Sequence, residues 1–165
     1  MKKQIIVING SGGAGKDTFV NLVSKYVPTM NYSSIDRIKE IAKECGWNGK
    51  KTEKDRKFLS DLKILCSKYN DLPMLCMRKN VQKFYNSKNE LLFLHIREPI
   101  EISNAVILFN AKTLLIKRNS VKHITTNEAD AGVFNYNYNY VIENNGTKEE
   151  LDNKAKEFVE TLSKL

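Results

Sequence analysis

The sequence predicts one α/β domain built on a parallel sheet, and three observations carry that expectation. Strand-like and helix-like segments alternate along the 165 residues, the pattern that βαβ crossovers generate. The first strand candidate, Gln4 to Asn9, is a near-continuous apolar run, which suits burial on both faces of a sheet. The last segment couples Thr147 with Glu150 as a helix-capping box and sets Leu151, Ala155, Phe158, Val159 and Leu162 on one helical face.

The elements follow in order. After the first strand, Gly15 to about Tyr26 predicts a helix that must stop before Pro28. Asn31 to Ser34 predicts a short strand, and Asp36 to about Cys45 a helix. Gly46 to Lys51 is a loop. Thr52, with Asp55 three residues on, predicts a capped helix start. Phe58, Leu59, Leu62, Leu65, Cys66 and Tyr69 then recur at helical spacing and predict one buried face, with Cys66 as a small core hydrophobe. Asp71 and Pro73 open another helix, whose apolar positions include Leu75, Val81 and Phe84. Glu90 to Ile96, Thr113 to Lys117 and Tyr138 to Glu143 predict three further strands. Pro99 to about Asn110 predicts a helix between the first two of these. Arg118 to Gly132 lacks apolar periodicity and is expected to be a polar loop. The run Asn135-Tyr136-Asn137-Tyr138-Asn139-Tyr140 predicts a strand entry with tyrosines on one face. The whole is expected to be a single domain, with about 36–88 a helical insertion.

Composition narrows the function classes. The net charge is +8, and residues 36–88 hold 14 Lys/Arg against 7 Asp/Glu. A basic surface suits polyanions, but no compact Lys/Arg run with interleaved aromatics is present. Small phosphate-rich molecules therefore rank above nucleic acid as partners. Three cysteines without a CxxC spacing, Cys45, Cys66 and Cys76, argue against a disulfide framework or zinc site. No apolar run approaches the ~18 residues of a membrane span. The short apolar run after Lys2 and Lys3 reads as a strand rather than a leader. A cytoplasmic protein is expected.

The most specific signal is Gly10-Ser11-Gly12-Gly13-Ala14-Gly15-Lys16, a G-x-x-x-x-G-K loop between a strand and a helix. Glycines let successive backbone N–H groups turn inward around an anion. The helix that starts there adds the positive end of its dipole, and Lys16 supplies a charge for the β- and γ-phosphates. These residues predict an ATP-binding phosphate loop. The residue after the lysine is Asp17, where Ser or Thr is the common Mg²⁺ ligand, and Thr18 follows. Two readings fit Asp17: an oxygen ligand to Mg²⁺, direct or through water, or a helix-N-terminal acid stabilised by the dipole.

With Gly15-Lys16-Asp17-Thr18, the chain resembles a set of P-loop kinases: the phage-type deoxynucleoside monophosphate kinases and animal-type phosphomevalonate kinases. Ser33-Ser34-Ile35-Asp36-Arg37-Ile38-Lys39 is similar to the segment that opens their acceptor site. Arg97 stands where they carry an arginine after the third strand. Thr126 to Gly132 and Tyr140 to Gly146 are similar to their lid and final strand. The likeness spans nearly the whole chain and is weakest over 45–88. It implies a P-loop NTPase fold with strand order 2-3-1-4-5, a lid over about 118–133, and Asn145-Gly146-Thr147 along the adenine ring. It also implies transfer of the γ-phosphoryl group of ATP to a phosphorylated acceptor. A nucleoside monophosphate is the first expectation and a phosphomevalonate-like acceptor the second. One departure stands out: His95 occupies the place of a third-strand Asp. It is read either as an acceptor contact or as a hydrogen-bonded strand-end residue. Arg97-Glu98-Pro99 also resembles a run in thymidylate kinases.

Phosphoryl transfer needs positioning and positive charge more than covalent chemistry. Arg118, with Lys122 second, is expected to reach the γ-phosphate. Arg97, Arg37, Lys39 and Arg56 are candidate acceptor-phosphate clamps because guanidinium forks match phosphate oxygens, and Asp36 is a further candidate wall. The acceptor is expected between the helical block and the third-strand end. A nucleotide-binding module with little catalysis is the rival from another class.

Overall fold

The computed structural model describes residues 2–120, 132–134 and 136–164. Five strands form one all-parallel sheet: β1 (Gln4–Asn9), β2 (Thr29–Ser33), β3 (Leu91–His95), β4 (Lys112–Lys117) and β5 (Tyr140–Glu143). Their order is β2-β3-β1-β4-β5. The most apolar strands lie centrally. β1 runs parallel to β3 with Ile6 opposite Phe93, and parallel to β4 with Ile8 opposite Leu114. Ile6, Val7, Leu91 to Leu94, Leu114 and Ile116 are fully buried, at about 1.5–3 kcal/mol of stabilisation per large side chain. Burial on both faces is the reason β1 and β3 read as continuous apolar runs.

The chain divides into two compact units: residues 1–31 with 84–165, and residues 32–83. In the first unit, α1 (Lys16–Val23) packs against the C-terminal helix (Lys148–Ser163). Phe19 meets Phe158 edge-on at 5.7 Å, and Tyr140 meets the same ring at 5.3 Å. The helix expected to reach Tyr26 stops at Val23, because the Lys25 and Tyr26 amides bond three residues back, to Leu22 and Val23, in the tightened last turn common before Pro. Lys3 Nζ donates to the carbonyls of Phe84, Ser87 and Asn89 and so ties the start of β1 to the approach to β3.

The second unit holds α2 (Asp36–Glu44), α3 (Glu53–Asn70) and most of α4 (Leu72–Tyr85). The capping box at α3 forms in both directions, Asp55 N to Thr52 Oγ1 at 3.2 Å and Thr52 N to Asp55 Oδ2 at 2.9 Å. The Thr52 hydroxyl, which donates to Asp55 Oδ2 at 2.6 Å, and then the Thr52 amide hold the Asp55 carboxyl below its ordinary range. The single buried face expected for α3 is corrected. Leu59, Leu62 and Cys66 are half-buried, whereas Phe58, Leu65 and Tyr69 are exposed, the last at 86%. At about 100° per residue these six positions fill one arc of roughly 120°, and the half that carries Phe58, Leu65 and Tyr69 is the exposed one. The arc turned inward lies toward Lys63, which is buried. α2 packs on α3 and buries Ile38 and Ala42. Burial, then the neighbouring Cys76, pushes the Tyr32 phenol above its ordinary range.

The remaining elements are α5 (Pro99–Phe109), a 3₁₀ turn at Gly132–Phe134, and α6 (Lys148–Ser163). Among the described residues, no helix is long and apolar enough to cross a membrane.

Candidate functional site

The phosphate loop leaves β1 at Asn9, which is fully buried, and turns on glycines that no other residue replaces cheaply. Gly10 has φ 147°, and a Cβ there would overlap the carbonyl oxygen of Ile116 in neighbouring β4. Gly15 has φ 97°, and a Cβ there would overlap the side-chain amide of Asn144. Both positions therefore demand left-handed backbone and close approach together. Asn144 continues from β5. Its N–H donates to Lys117 O at 2.7 Å and its Nδ2 to Ala14 O at 2.8 Å. The end of the fifth strand thus pins the loop at the base of α1.

Lys16 begins α1, and its Nζ donates to Gly10 O at 2.5 Å and Ser11 O at 3.0 Å. The ammonium sits over the loop it would serve. Asp17 and Thr18 occupy the first turn, both exposed, Asp17 with 89% of its side chain accessible. Gly13, Gly15, Lys16, Asp17 and Thr18 line one cavity of about 430 Å³ with Arg118, Asn144, Gly146, Thr147, Lys148 and Leu151. The cavity lies at the carboxyl ends of β1, β4 and β5, where parallel α/β sheets bind ligands. Its walls offer helix N-termini, inward amides and three cationic side chains, which suits a nucleotide polyphosphate. Among the described residues that line it, Asp17 is the only carboxylate. Among the described residues no three His, Cys, Asp or Glu side chains gather as a metal cage. Mg²⁺ keeps water and shares phosphate oxygens, needing one or two carboxylates, so Asp17 fits such an ion.

The segment expected along the adenine ring has two tasks. Thr147 caps α6 by accepting from Glu150 N at 3.2 Å, and it lines the cavity as well. Asn145 Oδ1 accepts from Asn119 N at 2.8 Å, which fastens the residue after Arg118. Residues 121–131, including Lys122 and most of the expected lid, lie outside the described residues.

At the third-strand end, His95 is largely buried and its Nδ1 stands 3.9 Å from Asp17 Oδ1. Arg97 is half-buried. Its backbone carbonyl accepts from Asn9 Nδ2 at 3.3 Å, so the phosphate loop and the Arg97 segment share one side chain. The remaining candidates belong to the 32–83 unit and make local bonds there. Asp36 Oδ2 accepts from Ser33 N at 2.9 Å, Arg37 meets Glu40 at 2.8 Å, Lys39 lies 3.8 Å from Asp36, and Arg56 Nε donates to Lys51 O at 3.2 Å.

Sequence reasoning missed Asn9, Asn144, Lys148 and Tyr138. Asn9 was legible as the one polar residue closing an apolar strand. Asn144 lies beside the flagged Asn145 and differs only in pointing inward. The Asn/Tyr alternation reads in the sequence only as a strand entry. Tyr138 proves to hydrogen-bond Asn9 at 2.8 Å. Asn139 Oδ1 accepts from the Thr113 amide and hydroxyl.

No family model matches this chain, and no curated protein matches it. Solved structures do. The chain is similar to TT1252 from Thermus thermophilus, at 18% identity over 98% of this chain and 99% of that one, with TM-score 0.52. It is also similar to a sugar kinase from Janibacter sp. HTCC2649, at 11% identity over 97% and 95% of the two chains, with TM-score 0.55. The chain has the P-loop NTPase fold.

Proposed function

We propose that this chain is an ATP-dependent kinase that phosphorylates a small phosphorylated acceptor, with a (deoxy)nucleoside monophosphate the first choice. The observation that carries the reading is the cavity where Lys16, Asp17, Thr18, Arg118 and the 146–148 segment meet. It joins a phosphate loop to a strand-end arginine and a base-side loop, which is a donor site with its charges in place. ATP-Mg²⁺, when bound, supplies the transferable phosphoryl group.

The chain's own residues do the rest. The loop amides would hold the β-phosphate, and Lys16, which donates to the Gly10 and Ser11 carbonyls, would turn toward the β- and γ-phosphates. Asp17 would hold the Mg²⁺ directly or through water. Arg118 would take up the charge that spreads over the γ-phosphate oxygens. Arg97 would serve the acceptor phosphate, Arg37, Lys39 and Arg56 are the further candidates for it, and Asp36 is a candidate wall of the acceptor site. A phosphomonoester has a second pKa near about 6. Its attacking oxygen is therefore already deprotonated at neutral pH, and no general base is required.

The reading is tested by ADP release with MgATP against nucleoside and deoxynucleoside monophosphates, phosphomevalonate and simple sugars. Acceptor-dependent ADP release with a monophosphate supports it. MgATP binding without release for any acceptor would instead leave a nucleotide-binding module.

A further inference from the structure

The Tyr138 hydroxyl sits in a buried chain of hydrogen bonds whose direction is fixed. The Gly10 amide can only donate, and it bonds Asn9 Oδ1 at 2.8 Å. That assignment leaves Asn9 Nδ2 as the donor, and its two hydrogens go to Arg97 O at 3.3 Å and to Tyr138 Oη at 2.8 Å. The phenol proton then points onward to Val133 O at 2.7 Å. Asn9 is fully buried and Val133 is fully buried. Every hydrogen-bonding position of the Asn9 side-chain nitrogen is used. Burial pushes the Tyr138 phenol up to about 12, so it stays a neutral donor across the working range of any cytosolic enzyme.

We propose that Tyr138 is a positioning residue for Arg97: it fixes the Asn9 amide, and Asn9 in turn holds the first amide of the phosphate loop and the backbone of Arg97. The inference rests on the kinase reading above. Its physical content is registration. The donor loop follows β1 and the acceptor-side arginine follows β3, and these adjacent strand ends share one amide whose rotation would release both. Tyr138 prevents that rotation from one side and is itself anchored on the backbone at Val133. Loss of the hydroxyl leaves an Asn9 N–H buried without a partner, at a cost that asparagine can relieve only by turning away from Gly10 or Arg97. Transfer, which needs the arginine in place, then suffers more than ground-state donor binding.

The test is a double-mutant cycle between Tyr138→Phe and Arg97→Ala. It reads MgADP affinity and the rate of phosphoryl transfer from MgATP to a deoxynucleoside monophosphate. Tyr138→Phe is expected to lower transfer about tenfold while the MgADP Kd stays within about twofold. In the Arg97→Ala background the same change is expected to lower it no further, because there is no longer a guanidinium to position. Tyr140→Phe, whose ring packs on Phe158 instead, keeps the wild-type rate. Additive losses in the cycle, or a wild-type rate for Tyr138→Phe, overturn the inference and leave the kinase reading standing. Wild-type protein that fails to bind MgADP overturns both. Wild-type protein that binds MgADP but transfers to no monophosphate overturns the inference as well, since no arginine-dependent step remains. If Tyr138→Phe does not fold, Asn9→Ser removes both Asn9 Nδ2 donors, to Arg97 O and to the Tyr138 hydroxyl, and runs in the same cycle.

Discussion

The donor loop and the 32–83 unit both carry polar and charged groups but organise them in different ways. Around the loop, the polar groups of Asn9, Asn144, Thr113 and Tyr138 are buried or half-buried and bonded across elements far apart in sequence. In the 32–83 unit, Arg37, Lys39 and Arg56 are exposed or half-buried and bond within five residues of themselves. The first arrangement fixes geometry, because a buried donor or acceptor without its partner is expensive. The second fixes little, because solvent replaces an exposed pair at almost no cost. Preorganisation therefore belongs to the loop, and adaptability to the helical unit. Substitutions should have effects graded in that order.

The largest effect is expected at Lys16. Lys16→Ala should lower kcat/KM on the order of 10³-fold or more and abolish measurable MgATP affinity, while circular dichroism and thermal unfolding stay as in wild type. The ammonium donates to the loop carbonyls of Gly10 and Ser11, and Lys16 itself lies outside the buried apolar core. A folded variant with normal turnover would break the donor-site assignment outright.

Arg97 comes next. Arg97→Ala should weaken transition-state stabilisation by roughly 2–4 kcal/mol with MgATP affinity nearly unchanged, measured by titration calorimetry beside steady-state kinetics. Equal losses in donor affinity and turnover would move Arg97 to the donor side and erase the division between loop and acceptor arginine.

How much of this was readable in the sequence follows the same line. The strands β1 and β4, the capping box at Thr52 and the N-cap at Thr147 were legible because their causes are local: apolar runs, and a hydroxyl three residues from a carboxylate. The phosphate loop was legible for the same reason, since Gly10 and Gly15 record backbone angles directly. The inner face of α3 was not, because helical periodicity places Phe58 and Leu59 on one arc and does not say which half of it turns inward. Nor was the Asn9–Tyr138 bond, which joins residues 129 apart in sequence. Two short polar side chains give no sign of each other until the sheet order brings β1 and the approach to β5 together. Local causes predicted elements, and long-range polar pairs had to be seen.

Asp17 tests the boundary between these regimes, since it belongs to the loop yet is mostly exposed. Asp17→Asn should raise the Mg²⁺ concentration for half-maximal activity by roughly tenfold and leave maximal turnover at saturating Mg²⁺ within a few-fold. An unchanged Mg²⁺ requirement would assign Asp17 to the helix dipole and its contact with His95 instead.

The smallest effect is expected at Arg37, and it is the sharpest probe of the helical unit. Its guanidinium is bonded to Glu40 at 2.8 Å across a single helical turn, with 43% of the side chain accessible. Glu40 holds it more firmly protonated than usual, but that partner is itself exposed, so the pair adds little to the fold. Arg37→Ala should therefore cause no measurable shift in melting temperature and none in MgATP affinity. If the guanidinium leaves Glu40 to meet an acceptor phosphate, the acceptor KM should rise by roughly three- to tenfold, the worth of one solvent-accessible charge-assisted hydrogen bond, with kcat nearly constant. Glu40→Gln separates this from a purely local role. It frees the guanidinium and should lower the acceptor KM, whereas a structural pair would respond to both substitutions in the same direction. A thousandfold loss on removing Arg37 would show that the helical unit is as preorganised as the loop, and the contrast between them would fail.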